Sequence, residues 1–385
     1  MGQTFKIAVL PGDGIGREVV PQTVRVLQTA EEFTSGFDLE FHEFECGGEY
    51  FLKTGREWSA EAEEFTKKEA DAILLGAVGA NTDDGEVVRR PDGHLAGYSV
   101  VIGLRLDLEL YANLRPVKLY EGVPTPIAGI SHNDIDMVMV RENTEGLYAP
   151  QEHPARSENA DMVIDKRIIT RKGSMRVSRF AFEQAVSRDG APSDRQKRVT
   201  CVDKSNLLAG CQLFRNSFNE VAKDYPGIST DYAYVDAFTQ WMIRNPSFYD
   251  VVVAPNAFGD IITDLGATLQ GGLGMAPAGS IGENHAVFEP VHGSAPKHYG
   301  KGTSNPIASI LSGAMLLDWL GMKRKSSGCI KGALWIEDSI AETLKEGKIR
   351  TYDLCKDKWA KVSPSPNERV TEEIISKIRS RAGGE

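Results

Sequence analysis

Strand-like and helix-like segments alternate along nearly the whole chain, and this rhythm limits the fold more than any other feature of the sequence. FKIAVL (5–10), a helical stretch to about residue 33, LEFHEFEC (39–46), a helical stretch near 59–69 and the buried-type strand DAILLGAV (71–78) follow one another. A second set has DIDMVMVRE (134–142), RVTCVD (198–203) and YDVVVAP (249–255) as strands, with NLLAGCQLFRNSFNEVAKDY (206–225) as an amphipathic helix. Parallel strands need long crossovers and helices supply them, so the alternation predicts an α/β fold with largely parallel sheets. A chain of 385 residues exceeds one ordinary domain, which predicts two lobes. ADMVIDKRIITR (160–171) fits neither rhythm and reads as a strand pair, either an arm that pairs with another subunit or a plain surface hairpin. SMRVSRFAFEQAV (174–186) then reads as a helix capped by Ser174.

The first strand runs into PGDGIGRE, a glycine-rich turn that invites a dinucleotide-binding reading. That fingerprint needs G-x-G-x-x-G, but here Gly12, Gly14 and Gly16 are followed by Arg17, so the third glycine comes one residue early. The acid expected about twenty residues on could only be Glu31 or Glu32, which sit at the end of a helix and not at a strand tip. The glycines are therefore read as a tight strand-to-helix turn, and the nucleotide site is sought elsewhere.

Charge and composition exclude several classes. Charged residues make up 25% of the chain with a net charge of -10, so no basic nucleic-acid surface is expected, and anions must be bound by local arginines. No apolar run reaches the roughly eighteen residues of a membrane helix, and the N-terminus lacks the basic, apolar, small-residue order of a secretory signal. Five scattered cysteines without C-x-x-C spacing fit reduced thiols better than disulfides or zinc. A cytoplasmic protein is expected, or one of an organelle matrix if a targeting segment has been removed.

The candidate chemistry starts with arginines at the ends of buried-type segments. Arg105 falls on a helix, Arg115 on the strand or loop after it, and Arg141 at the end of MVMV. Such arginines can clamp carboxylates by paired hydrogen bonds, although any one of them serves equally in a surface ion pair. In NAFGDIITD, Asp260 and Asp264 are four apart at a helix start and share a face. Two carboxylates plus substrate oxygens and water suit Mg2+ or Mn2+, and Asp236 is a further candidate ligand. Aspartate is also favoured at helix starts by the dipole. Lys204 closes an apolar strand, where open α/β sheets place their ligands.

Taken together, these residues resemble the β-decarboxylating dehydrogenases, the family of isocitrate, isopropylmalate, homoisocitrate and tartrate dehydrogenases. The likeness covers nearly the whole chain: LPGDGIGREV, the Arg105 to Arg115 segment, RENTEGLY, VDKSN, NAFGDIITD, GLGMAPAGSIG, FEPVHGSAP and SNPIASILSGAML occur in the family's order. It implies a two-domain fold of open mixed sheets flanked by helices. Residues 1–110 and 271–385 would form the cofactor-side domain, and 111–270 a smaller dimerisation and metal domain with an arm near 160–171. It also implies that Arg105, Arg115 and Arg141 grip the malate carboxylates, with Asn206 close to them. Asp260 and Asp264, with Asp236 from a partner subunit, would hold the divalent metal. Tyr148, seven residues after Arg141, would be the acid, and Lys204 from the partner would handle the hydroxyl proton. A homodimer with shared sites follows, and a tetramer remains open.

In this family the nucleotide lies on the later segment VHGSAPKHYGKGTSNP (291–306). The resemblance thus assigns cofactor binding to Glu289, His292, Gly293, Ser294, Ala295, Pro296, Lys297, His298 and Asn305, with Asn305 near the adenine and the first glycine turn in a supporting part. NAD-using members carry an acid after HGSAP or HGTAP, whereas this chain has Lys297 and His298. A cation facing a 2′-phosphate gains a charge-assisted hydrogen bond worth about 1.5–3 kcal/mol. Tyr352 and Lys356 match the spacing of NADP-using isocitrate dehydrogenases, so NADP is expected over NAD. The group on C3 should meet the turn before Arg105, where Tyr98, Val101, Ile102 and Arg105 fall at i, i+3, i+4 and i+7 on a helix. Bacterial isocitrate dehydrogenases present a serine and an asparagine there; this chain has Ser99 at the first position and Val101 at the second. Isopropylmalate dehydrogenases present two apolar residues, matched by Val101 and Ile102, but a glutamate where this chain has Tyr98. Burying an unpaired carboxylate against Val101 and Ile102 would cost several kcal/mol, which favours an apolar C3 group such as isopropyl. Isocitrate or homoisocitrate as substrate stays open. So does a non-catalytic regulatory subunit of a hetero-oligomer, although such chains lose parts of the metal and acid-base set and here every position is filled.

Overall fold

The structure, a computed structural model, describes residues 2–82, 84–149, 155–156, 162–355 and 362–383. The chain folds as two compact units: residues 1–109, 120–126 and 270–385 form the first, and 110–119 and 127–269 the second. The short 120–126 segment belongs with the first unit because Gly122 packs where a Cβ would lie 2.3 Å from the Leu344 carbonyl oxygen. Glu121 also pairs there with Lys345.

In the first unit the strands run in the order Phe37–Glu43, Gln3–Leu10, Ala72–Leu75, Ala286–Pro290 and Pro277–Ile281. The pairs are parallel except the last, so the sheet is mixed. Helix Ile307–Arg324 packs on this sheet and is apolar almost all round, as a helix buried between layers must be. Gly313 lets helix Gly16–Thr34 approach it closely, and Thr23 Oγ1 donates across that contact to Ser309 Oγ at 2.7 Å.

The second unit has the order Ala112–Lys118, Asp136–Glu142, Val251–Ala254, Arg198–Asp203 and Ser229–Tyr234, again with one antiparallel pair, the first. Side chains alternate across a strand, and that alternation builds the site. Val138 and Val140 join Val177, Phe182, Phe214 and Phe218 of helices Arg171–Ser187 and Ala209–Ala222 in one apolar core. Met139 and Arg141 turn to the opposite face, against Gly266 and Gly259 of helix Asn256–Leu269. Because Arg115 pairs in register with Met139, it shares that face.

Two local expectations are corrected and one element is added. The Arg171–Ser187 helix is capped by Thr170, whose Oγ1 accepts from Gly173 N, while Ser174 lies inside the first turn. A short helix, Gly48–Thr54, was not anticipated, since its GEYFLKT has too few turns to show a period. Residues Ser99–Gly103 form a π-helical turn running into the α-helical Leu104–Asp107, with Leu104 N donating to Ser99 O. A wider turn breaks the α-helical spacing expected for Tyr98, Val101, Ile102 and Arg105; the buried positions are Val100 and Leu104. The pairing near the proposed arm joins Ala155–Arg156 to Val163–Ile164, and residues 160 and 161 of that arm lie outside the described residues. Among the described residues no helix is long and apolar enough to cross a membrane.

Candidate active site

Two arginines and one helix face form a polar cluster in the second unit. Residues 256, 260, 263 and 264 of helix Asn256–Leu269 fall at i, i+4, i+7 and i+8 and so face the same way. Buried Arg141 donates from Nε and Nη2 to Asn256 Oδ1 at 2.9 and 2.7 Å, and from Nη1 to Asp260 Oδ1. Arg115, also buried, donates from Nε to Asn113 Oδ1 at 2.7 Å and from Nη1 to Thr263 Oγ1 at 2.6 Å. It reaches Asp264 Oδ1 at 3.2 Å and Asp260 Oδ1 at 3.4 Å. Each guanidinium thus has one edge on neutral acceptors and another on carboxylate. Asp260 and Asp264 keep 35% and 59% of their side-chain surface exposed, so both carboxylates open outward.

Tyr148 lies beside this cluster: its hydroxyl donates to Asp260 Oδ2 at 3.4 Å, and the Arg141 guanidinium sits 5.6 Å from its ring centre. Burial and the Asp260 charge push the phenol pKa up, against the pull of Arg141. The lysine arrives separately. Strand Arg198–Asp203 ends in buried Asp203, which takes Ser205 N and two nitrogens of Arg215 and so fixes the turn that presents Lys204. Lys204 Nζ is 2.5 Å from Asp236 Oδ1, and this hydrogen bond holds the Asp236 carboxyl below the usual range. Asn206, two residues on, is exposed. Among the described residues no three His, Cys, Asp or Glu side chains come together as a metal cluster, so Asp236 does not converge on Asp260 and Asp264 of its own chain.

In the first unit Arg105 Nη2 meets Glu289 Oε1 at 3.2 Å. The π-helical turn before it is anchored by Glu57, a buried carboxylate that accepts from Gly97 N, Ser99 N and Arg90 Nη1. Tyr98 stacks on His94 with ring centres 4.2 Å apart, and Ser99, Val101 and Ile102 are half-buried.

The 289–305 segment is packed against the first glycine turn. Ser294 O accepts from Ile15 N at 2.8 Å, and a Cβ on Gly14, whose φ is 52°, would lie 2.2 Å from that oxygen. Asp13 accepts from Gly48, Glu49 and Gly79 N, while Glu18 accepts from Gly300 N at 2.6 Å and Ser304 Oγ at 2.7 Å. The turn therefore shapes the later loop. Ala295 has a φ of 40° and its carbonyl accepts from His298 N, which swings Pro296, Lys297 and His298 outward to exposed positions. His292 is half-buried beside exposed Gly293, with Nδ1 3.1 Å from the Gly293 carbonyl oxygen, and burial lowers its pKa. Asn305 is buried, with Nδ2 donating to Asp353 and Oδ1 accepting from Ile307 N. Tyr352 is exposed, and Lys356 lies outside the described residues. Gly14→Ala should destabilise the fold by about 1–3 kcal/mol, read as a lowered Tm. An unchanged Tm would show that Ser294 moves aside freely.

Asn256, Thr263, Asn113, Glu57, Asp203 and Glu18 were missed by sequence reasoning. Only the helix face was readable in advance, since Asn256 and Thr263 share the period of Asp260 and Asp264; Asn113 and Asp203 are sequence neighbours of Arg115 and Lys204 with no pattern to mark them, and Glu57 and Glu18 act on residues distant in the chain.

The sequence profile described as isocitrate/isopropylmalate dehydrogenase matches residues 6–378. A 3-isopropylmalate dehydrogenase of Thermobifida fusca is 41% identical over 350 residues, covering 89% of this chain and 92% of that one. A homoisocitrate dehydrogenase of Methanocaldococcus jannaschii is 39% identical over 387 residues, covering 99% of each. Among solved structures, isocitrate dehydrogenase from Methylococcus capsulatus superposes with a TM-score of 0.81 at 34% identity, covering 97% of this chain and 99% of that one. The class is therefore an oxidoreductase of mixed α/β architecture built on a large mixed sheet. The chain belongs to the isocitrate/isopropylmalate dehydrogenase family.

Proposed function

We propose that the protein oxidatively decarboxylates a malate carrying an apolar group on C3, of the 3-isopropylmalate kind, with NADP and a divalent cation. The observation that carries this reading is the shared helix face on which Arg115, Arg141, Asp260, Asp264 and Tyr148 meet. Arg115 and Arg141 bind and orient the substrate carboxylates, their planar N–H forks matching those oxygens. The donor set fits a hard cation: Asp260 and Asp264 offer oxygen only, are half open, and are few enough for octahedral Mg2+ or Mn2+. These two, with the partner's Asp236, would hold the ion, which would supply Lewis acidity when bound. Bound NADP supplies the hydride acceptor.

The chain's own groups move the protons. Lys204 takes the C2 hydroxyl proton as C2 is oxidised, and Tyr148 gives a proton to C3 after CO2 leaves. Lys204 and Asp236, which hydrogen-bond to each other, enter a neighbouring copy's site together, and a homodimer is the working unit. Lys297 and His298, exposed on their turn, favour the NADP 2′-phosphate, while Val101 and Ile102 favour an apolar C3 group.

The test is initial rates with Mg2+ for 3-isopropylmalate and isocitrate, each with NADP and with NAD. The expected result is fastest turnover of isopropylmalate with NADP, and a shift of preference toward NAD in Lys297→Asp. Isocitrate turnover instead would overturn the substrate and leave the catalytic set standing. An unchanged cofactor preference in Lys297→Asp would overturn the role of that residue.

A further inference from the structure

We infer that Asn256 is a positioning residue, fixing both the substrate-gripping arginine and the loop that carries the acid; this rests on the proposed roles of Arg141 and Tyr148. Asn256 is the first residue of its helix and is 2% exposed. Its Oδ1 accepts from Nε and Nη2 of Arg141, and its Nδ2 donates to the Glu145 carbonyl oxygen at 2.9 Å. Glu145 lies three residues before Tyr148 in the same loop. One amide therefore ties the guanidinium to the loop, and each end of the amide is used in the sense its chemistry allows.

The surroundings leave that amide little freedom. A Cβ on Gly259 would lie 2.7 Å from Arg141 Cβ, and one on Gly146, whose φ is 87°, would lie 3.1 Å from Asn256 Cβ. Helix, arginine and loop thus meet at two glycines, close enough that Asn256 reaches both partners directly. The residue type also matters. A neutral acceptor orients Arg141 through its Nε edge without adding a second carboxylate to that of Asp260, which would weaken the pull of the guanidinium on a substrate carboxylate. Aspartate at 256 would add that second charge and place a second oxygen against the Glu145 carbonyl, where a donor is required.

The experiment compares Asn256→Asp, Asn256→Ala and Arg141→Gln in the full-length enzyme. It measures kcat and both KM values, and substrate affinity by calorimetry with Mg2+ and no dinucleotide. The expected result for Asn256→Asp is a tenfold or greater rise in the KM and Kd of the hydroxy acid, a fall in kcat of similar size, and a dinucleotide KM within twofold of wild type. A merely structural role would lower Tm without splitting the two KM values. Asn256→Asp is nearly isosteric and carries the test if Asn256→Ala does not fold. Wild-type binding and kcat in Asn256→Asp, with binding lost in Arg141→Gln, would overturn the positioning role alone. Wild-type binding in Arg141→Gln would overturn the reading of Arg141 as a clamp, and the role of Asn256 with it.

Discussion

Asp260→Asn is expected to lower kcat/KM by roughly a hundred- to a thousandfold, the usual cost of removing one preorganised charged group from a site of this kind. It should also weaken Mn2+ binding, which electron paramagnetic resonance reads directly. Asp260 faces Arg141 and Arg115 through Oδ1 and Tyr148 through Oδ2, so it is the hub at which both arginines and the phenol meet. Losing its charge removes the carboxylate that Arg141 and Arg115 share, while Arg115 keeps Asp264; breaking a buried pair in this way costs about 3–5 kcal/mol before solvent access at Asp260 reduces it. A fall in Tm should therefore accompany the loss of activity. Activity within tenfold of wild type and unchanged Mn2+ affinity would remove Asp260 from the site.

Lys204→Met should cut kcat by about a hundred- to ten-thousandfold, the range for a general acid-base group, while KM for the hydroxy acid stays within a few-fold. The sharper form of this prediction mixes two inactive proteins. If Lys204 serves a neighbouring chain's Asp260, a hybrid dimer of Lys204→Met with Asp260→Asn has one site with both residues intact and one with neither. Random reassortment should then restore roughly a quarter of wild-type activity, as half the dimers carry one good site. Were both residues to serve their own chain, every hybrid site would lack one of them and mixing would restore nothing.

Much of the site was legible in the sequence because it follows local periods. Asp260 and Asp264 could be placed on one face from their spacing alone, and Arg141 and Lys204 from their position where apolar strands end. Glu57, Glu18 and Asn256 escaped because their contacts are distant in the chain. Glu57 meets Gly97 and Ser99 some forty residues later, Glu18 holds a loop near residue 300, and Asn256 reaches back to Arg141. No window of sequence shows such pairs. The Ser99–Gly103 turn escaped for another reason: apolar residues at 100, 101, 102 and 104 satisfy an α-helical and a π-helical reading about equally, and the anchoring of Gly97 and Ser99 to Glu57 has no local signature.

The strand Asp136–Glu142 serves two masters, with Val138 and Val140 in the apolar core and Met139 and Arg141 on the face of helix Asn256–Leu269. Its tolerance to length change is therefore binary. Inserting one residue before Val138 would turn the Arg141 guanidinium into hydrocarbon and a valine toward the carboxylates, abolishing folding and chemistry at once. Two inserted residues would restore the facing, though not the register with Arg115. Along this stretch side chains can change only within the apolar or polar demand of the face they occupy while the spacing stays frozen, and relatives that differ in length should differ in the loops at either end of the strand.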